Sequence, residues 1–135
     1  MESGALKVLI IEDNRDLARL FCDLLEVTGC KASVAWSGKS GLELAAQLTP
    51  DIVFCDLGMP GEKDGYAVAN ELRSNAQFKN TQLIAVTGFD RADAHEQARS
   101  AGFDQVFAKP IKFAQIQQVI KNFHAARGAS SSTPG

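Results

Sequence analysis

The chain has little of what fixes a protein's class at a glance. Its 135 residues hold three cysteines, Cys22, Cys30 and Cys55, an odd number with no CxxC spacing. That pattern excludes a disulfide framework and a thiolate zinc centre, and it points to a reducing compartment. No run of lysine or arginine occurs, and the formal charge is -2. A sequence-independent nucleic-acid binder, which needs a basic stripe to displace counterions, is therefore not expected. No apolar stretch nears the roughly 18 residues of a membrane span, and "MESGALK" lacks the apolar segment of a signal peptide, so the expectation is a soluble, cytoplasmic domain. Neither GxGxxG nor a GK[ST] phosphate loop follows the first apolar run, which removes the usual nucleotide-binding signatures. The two histidines, His95 and His124, fall on polar helix faces and join no metal-ligand spacing.

What the chain does contain is a regular alternation. "LKVLII" reads as a strand, and the following segment sets Leu17, Leu20, Phe21, Leu24 and Leu25 at helical spacing before Gly29. "KASVAW" is a second strand; Ser37 caps a helix that stops at Thr49 and Pro50, where proline forbids continuation. "DIVFC" leads through "DLGMPGEKDG" to a helix near residues 65–74, and "TQLIAVTG" to an alanine-striped helix opened by Asp90. "FDQVFAKP" and a last helix carrying Phe113, Ile116, Val119, Ile120 and Phe123 complete the series. Five strands alternating with five helices predict one α/β domain, residues 5–126, built on a doubly wound parallel sheet. "RGASSSTPG", residues 127–135, reads as a flexible tail or linker.

Sheets of this kind bind ligands beyond the carboxyl ends of their strands, so the residues found there are candidates for chemistry. Glu12 and Asp13 follow the first strand, Asp56 the third, Thr87 the fourth, and Lys109 with Pro110 the fifth. Three carboxylates on one rim require either a bound divalent cation or a shared proton. With no histidine or cysteine in the set, the all-oxygen ligands favour Mg²⁺. A lysine can then hold phosphate oxygens and a threonine can donate to another, while Asp56 is placed to accept a phosphoryl group as nucleophile. Taken alone, each residue has a plainer reading: a solvated strand end, an acidic first helical turn, a strand-end hydroxyl, a surface lysine.

Together, Glu12 and Asp13, Asp56, Thr87, Lys109 and Pro110 resemble the receiver domain of two-component response regulators, over residues 7–123. The resemblance implies the flavodoxin-like, CheY-like strand order 2-1-3-4-5. It implies that Asp13, Asp56 and the Gly58 carbonyl ligate Mg²⁺, with Glu12 acting through water, and that Asp56 takes phosphate from a phosphohistidine. Thr87 and Phe107 would be the switch pair, Lys109 the phosphate partner, and the Lys109–Pro110 bond cis. Gly58 and Phe89 would flank the path of attacking water and set a slow loss of phosphate. The implied donors are a sensor histidine kinase or a histidine phosphotransfer protein. The fourth helix, fifth strand and fifth helix would present the signal to a downstream protein or fused domain, with dimerisation through that face among the forms allowed. A stand-alone regulator and a receiver within a hybrid kinase both fit, and the role is that of a phosphoacceptor rather than a turnover enzyme. The rival readings are an aspartyl-nucleophile phosphatase, whose general acid two residues after the nucleophile is replaced here by Gly58, and a receiver-like scaffold without chemistry. Two departures from the pattern stand out: Asp64 and Gly65 arrive one residue late after Asp56, and Phe107 carries no hydroxyl.

Overall fold

The computed structural model describes residues 6–59, 64–88 and 92–132. Along the chain run β1 (Lys7–Ile11), α1 (Arg15–Val27), β2 (Lys31–Ala35), α2 (Gly38–Leu48), β3 (Ile52–Asp56) and α3 (Gly65–Arg73). A 3-10 turn, Ala76–Phe78, then leads to β4 (Gln82–Thr87), α4 (Ala92–Ala101), β5 (Gln105–Ala108) and α5 (Phe113–Ser132). The five strands form one sheet in the order β2-β1-β3-β4-β5, and every pairing is parallel. This is the expected doubly wound arrangement, with β2 and β5 at the edges.

Alternation along each central strand feeds two separate cores. Leu9, Ile11, Val53, Cys55, Leu83 and Ala85 meet α2, α3 and α4 through Ala45, Val68, Leu72 and Ala98. Val8, Ile10, Ile52, Phe54, Ile84 and Val86 meet α1 and α5 through Leu25, Ile116, Val119 and Phe123. β3 is buried along its whole length, so Asp56 emerges from the middle of the sheet rather than from an edge.

Caps define most helix starts. Asn14 Oδ1 accepts the Leu17 amide at 3.1 Å at the head of α1, and Ser37 with Ser40 forms a capping box on α2. Thr49 ends α2 in the left-handed region at φ 44° before Pro50, and Gln77 Nε2 donates to its hydroxyl at 2.7 Å. The expected cap Asp90 lies outside the described residues. As the alanine stripe implied, α4 is held through small side chains: Ala98 and Ala101 are buried, whereas Ala94 is half-buried.

Three expectations change. Leu20 is 55% exposed while Ala18 is fully buried, because α1 turns its Ala18–Phe21–Leu25 side to the sheet and leaves the flank of the leucine stripe outside. α5 runs to Ser132, into the segment 127–135 read as a tail. Ala125, Ala126 and Arg127 are good helix formers, and Pro134 is the first residue that forbids continuation. The strand read as ending in Trp36 stops at Ala35, where the Ala35 carbonyl accepts the Glu12 amide at 3.0 Å.

Candidate functional site

The carboxyl ends of β1, β3, β4 and β5 bring Glu12, Asp13, Asp56, Thr87 and Lys109 to one rim. Asp56 is 6% exposed, Glu12 7% and Thr87 2%; Asp13 is solvent-exposed. One carboxylate oxygen from each of Glu12, Asp13 and Asp56 lies within 4.8 Å of the others. Lys109 reaches across from the end of β5, its Nζ 3.0 Å from Asp56 Oδ2 and 3.1 Å from Glu12 Oε1.

Local backbone fixes the rest. The Gly58 amide donates to Asp56 Oδ1 at 3.0 Å, and the Asn14 amide donates to Glu12 Oε2 at 3.0 Å. Each buried carboxylate thus has one oxygen on a main-chain N–H and the other on the ammonium, which satisfies the rule that buried charges be paired. The Lys109 amide donates to the Thr87 carbonyl at 2.8 Å, locking β5 to β4 at the rim, and the Lys109–Pro110 peptide is cis. Burial pushes the Glu12 carboxyl up from its ordinary pKa, with the Asn14 amide and Lys109 opposing. For Lys109 burial acts to lower the pKa, but the hydrogen bonds to Asp56 and Glu12 outweigh it and hold the ammonium charged.

Gly58 is exposed, and a Cβ there would meet only Asp56 Oδ1, at 3.9 Å, so the position beside the carboxylate is open. Phe107 is half-buried on β5 against the α1/α5 core, in register with Val86 next to Thr87. Phe89 and Pro60 lie outside the described residues. Asp64 caps α3 by accepting the Ala67 amide at 3.0 Å. Gly65 begins α3 so close to β3 that a Cβ would stand 2.5 Å from the Asp56 carbonyl oxygen. The sequence reading missed Asn14, whose dual role as helix cap and Glu12 partner was signalled only by its place between an acidic pair and an apolar helical repeat.

Known proteins share the family and the fold. A family model described as the response regulator receiver domain matches residues 8–121. The polar-differentiation response regulator DivK of Brucella ovis is 32% identical over 116 residues, 86% of this chain and 94% of that protein. The CheY-like response regulator receiver domain from Methylobacillus flagellatus has a TM-score of 0.80 at 31% identity, covering 89% of this chain and 99% of its own. The receiver domain of sensor histidine kinase PA1611 from Pseudomonas aeruginosa PAO1, solved with a magnesium ion coordinated in its active site cleft, shares the fold at TM-score 0.80 and 23% identity. It is matched over 89% of this chain and 98% of its own. With its sheet order, its strand-end residues and a family match over most of its length, the chain belongs to the response regulator receiver domains of two-component signalling.

Proposed function

We propose that this receiver is a Mg²⁺-dependent phosphoacceptor in which Asp56 takes a phosphoryl group from a phosphohistidine on a sensor histidine kinase or histidine phosphotransfer protein. The observation that carries the reading is Asp56 at the end of a fully buried strand, with Lys109 Nζ at 3.0 Å and carboxylates of Glu12 and Asp13 within 4.8 Å. The donor set fits a hard cation: three carboxylates, two of them buried, with no nitrogen or sulfur ligand among them. Asp13, Asp56 and the Gly58 carbonyl would hold it, with Glu12 acting through water. When bound, the cation offsets the charge of the transferring phosphoryl oxygens.

The chain's own residues do the rest. An Asp56 carboxylate oxygen attacks phosphorus in line; the O–P bond forms as the N–P bond to the donor imidazole breaks, and the bonding pair returns to that nitrogen, so the donor leaves as a neutral imidazole whose other ring nitrogen already carries the proton. Lys109, already paired with Asp56, turns its ammonium to the new phosphate oxygens, and the Thr87 hydroxyl donates to another. Movement of Thr87 opens space beside β5 for the Phe107 ring, which lacks a phenolic hydroxyl and so responds by burial alone. The α4, β5 and α5 surface then shifts between two pre-existing states, since phosphate interacts differently with each. A downstream protein or fused domain reads that surface, and a dimer through it is one form the signal takes. The buried side chains of α4 among the described residues are the small ones of Ala98 and Ala101, which is the physical basis for its responding.

Residues 5–126 form the receiver in this reading, in the cytoplasm with its kinase, either as a stand-alone regulator or within a hybrid kinase. Among the described residues no helix is long and apolar enough to cross a membrane. The open, side-chain-free position at Gly58 offers nothing to orient attacking water, so the phosphorylated state decays slowly; Phe89, the other residue expected to flank the water path, lies outside the described residues. Gly58 also leaves a phosphatase without its second acid. Incubation with acetyl phosphate and Mg²⁺, followed by intact-mass spectrometry, tests the central assignment: wild type gains one phosphoryl group, and neither Asp56→Asn nor wild type in EDTA does. Stoichiometric uptake by Asp56→Asn would refute it.

A further inference from the structure

Arg15 and Trp36 form a second feature at the rim. Arg15 is the exposed first residue of α1, and its guanidinium carbon lies 4.7 Å from the centre of the Trp36 ring. Trp36 follows β2 and is 40% exposed. Both flank the acidic cluster: Arg15 comes two residues after Asp13, and Trp36 follows Ala35, whose carbonyl accepts the Glu12 amide at 3.0 Å. The backbone between them is fixed, because Asn14 is tied to Glu12 through its amide and to α1 through its side chain.

Among the described residues, the Arg15 side chain makes no ion pair or hydrogen bond, and the Trp36 indole N–H has no acceptor. Stacking occupies the face of a guanidinium and leaves the N–H donors at its edge free for a bidentate anion. Lys109, by contrast, is already engaged by Glu12 and Asp56. A phosphoryl donor approaching this cleft is itself an anion, and the three carboxylates it meets would be offset by Lys109 and the cation proposed above, so a further cation on the rim gives a net attraction. Arg15, two residues after Asp13 on the same rim, supplies such a charge, and its reach is the ~8–10 Å screening distance of physiological salt.

We propose that Arg15, held against Trp36, is a specificity-determining residue that recruits dianionic phosphoryl donors to the cleft. This inference rests on Asp56 being the phosphoacceptor. Arg15 acts on capture of the donor and not on bond exchange, so its removal changes the half-saturating donor concentration and leaves the saturated rate unchanged.

The test is the rate of Asp56 phosphorylation, followed by intact mass, against the concentration of acetyl phosphate, a dianion that leaves as acetate. Arg15→Ala is expected to raise half-saturation about two- to fivefold, the range of one exposed charge contact, and to flatten the dependence on ionic strength. Arg15→Lys, which keeps the charge but loses the planar fork, and Trp36→Ala, which frees the guanidinium, are expected to fall between. Phosphoramidate, which carries less net negative charge at neutral pH, is expected to respond less to all three. An unchanged half-saturation and salt dependence in Arg15→Ala, in a protein whose wild type is phosphorylated, overturns the inference alone. An equal fall in the saturated rate overturns it in favour of a structural role. A Trp36→Ala protein that behaves as wild type removes the stack from the explanation. Failure of wild type to take phosphate overturns the proposed function, and this inference with it.

Discussion

Gly65 sets helix propensity against close packing, and the two disagree in sign when it is changed to alanine. Propensity favours the substitution: glycine within a helix costs about 0.5–1 kcal/mol relative to alanine, and less in the first turn. Packing opposes it. A Cβ on Gly65 would lie 2.5 Å from the Asp56 carbonyl oxygen and 2.7 Å from Leu57 Cα, both main-chain atoms that no side-chain rotation can clear. Relief requires α3 to lift from the end of β3, and strain of that kind in a packed site typically costs about 1–3 kcal/mol. The net expectation is a loss of about 1–2 kcal/mol, or a fall in Tm of roughly 3–8 °C for a domain of this size. Urea unfolding followed by circular dichroism measures it, with Gly88→Ala as control, since a Cβ at Gly88 meets nothing within 4 Å. The atom struck is the carbonyl of Asp56 itself, so the same variant is also expected to take phosphate from acetyl phosphate more slowly, whereas a purely remote destabilisation would leave the folded fraction fully active. A Gly65→Ala protein as stable as wild type would refute the packing argument and leave propensity as the larger effect.

Three other outcomes follow from named contacts. Arg73 donates to the Gly102, Phe78 and Thr81 carbonyls and to Asp104, whose carboxylate also accepts the Leu83 amide, so one guanidinium ties the end of α3 to both neighbouring strands. Arg73→Ala is expected to cost about 2–4 kcal/mol in urea unfolding, mostly from the orphaned carbonyls because the partly exposed ion pair itself contributes little, and Arg73→Lys to recover less than half. Thiol labelling of the folded protein is expected to modify Cys22 alone, since Cys30 and Cys55 are buried and burial drives the Cys55 thiol far above its ordinary pKa; labelling in denaturant reaches all three. Lys109→Met leaves the Glu12 and Asp56 carboxylates facing each other without a cation, so it is expected to lower Tm in EDTA, to recover part of the loss when Mg²⁺ is added, and to take phosphate slowly; a Tm equal to wild type in EDTA would show that the ammonium contributes no net stability.

How much of this was legible in the sequence depends on whether the information is local. Strand identity lies in short β-branched runs such as "VLII" and "IVF", and each rim residue is tied to the end of one such run, so placing the strands in parallel also placed the chemistry. What could not be read is set between distant segments. The phase of α1, with Ala18 inward and Leu20 outward, is decided by the sheet it meets, because both residues fit a helical apolar stripe equally well. The bonds of Arg73 join positions up to 31 residues apart and leave no periodic trace, since their acceptors are mostly main-chain carbonyls that every residue owns.

The late arrival of Asp64 and Gly65 shows how the two kinds of information combine. Comparison of the sequence with the family pattern, in which Met59 and Pro60 keep their places, locates one additional residue between Pro60 and Gly65. The geometry restricts it from both sides. At the start, the Leu57 amide extends the strand pairing by donating to the Val86 carbonyl at 3.1 Å, and the Gly58 amide is held by the Asp56 carboxylate. At the far end, Asp64 must cap α3, and Gly65 is the residue without a Cβ that lets the first turn of α3 sit against the Asp56 carbonyl. Shifting that glycine by one position in either direction would put Asp64 or Tyr66 against the backbone of β3. The additional residue therefore falls between two fixed points, and the Asp56 carboxylate, its Gly58 amide partner and the Asp64-capped start of α3 hold their places on either side of it.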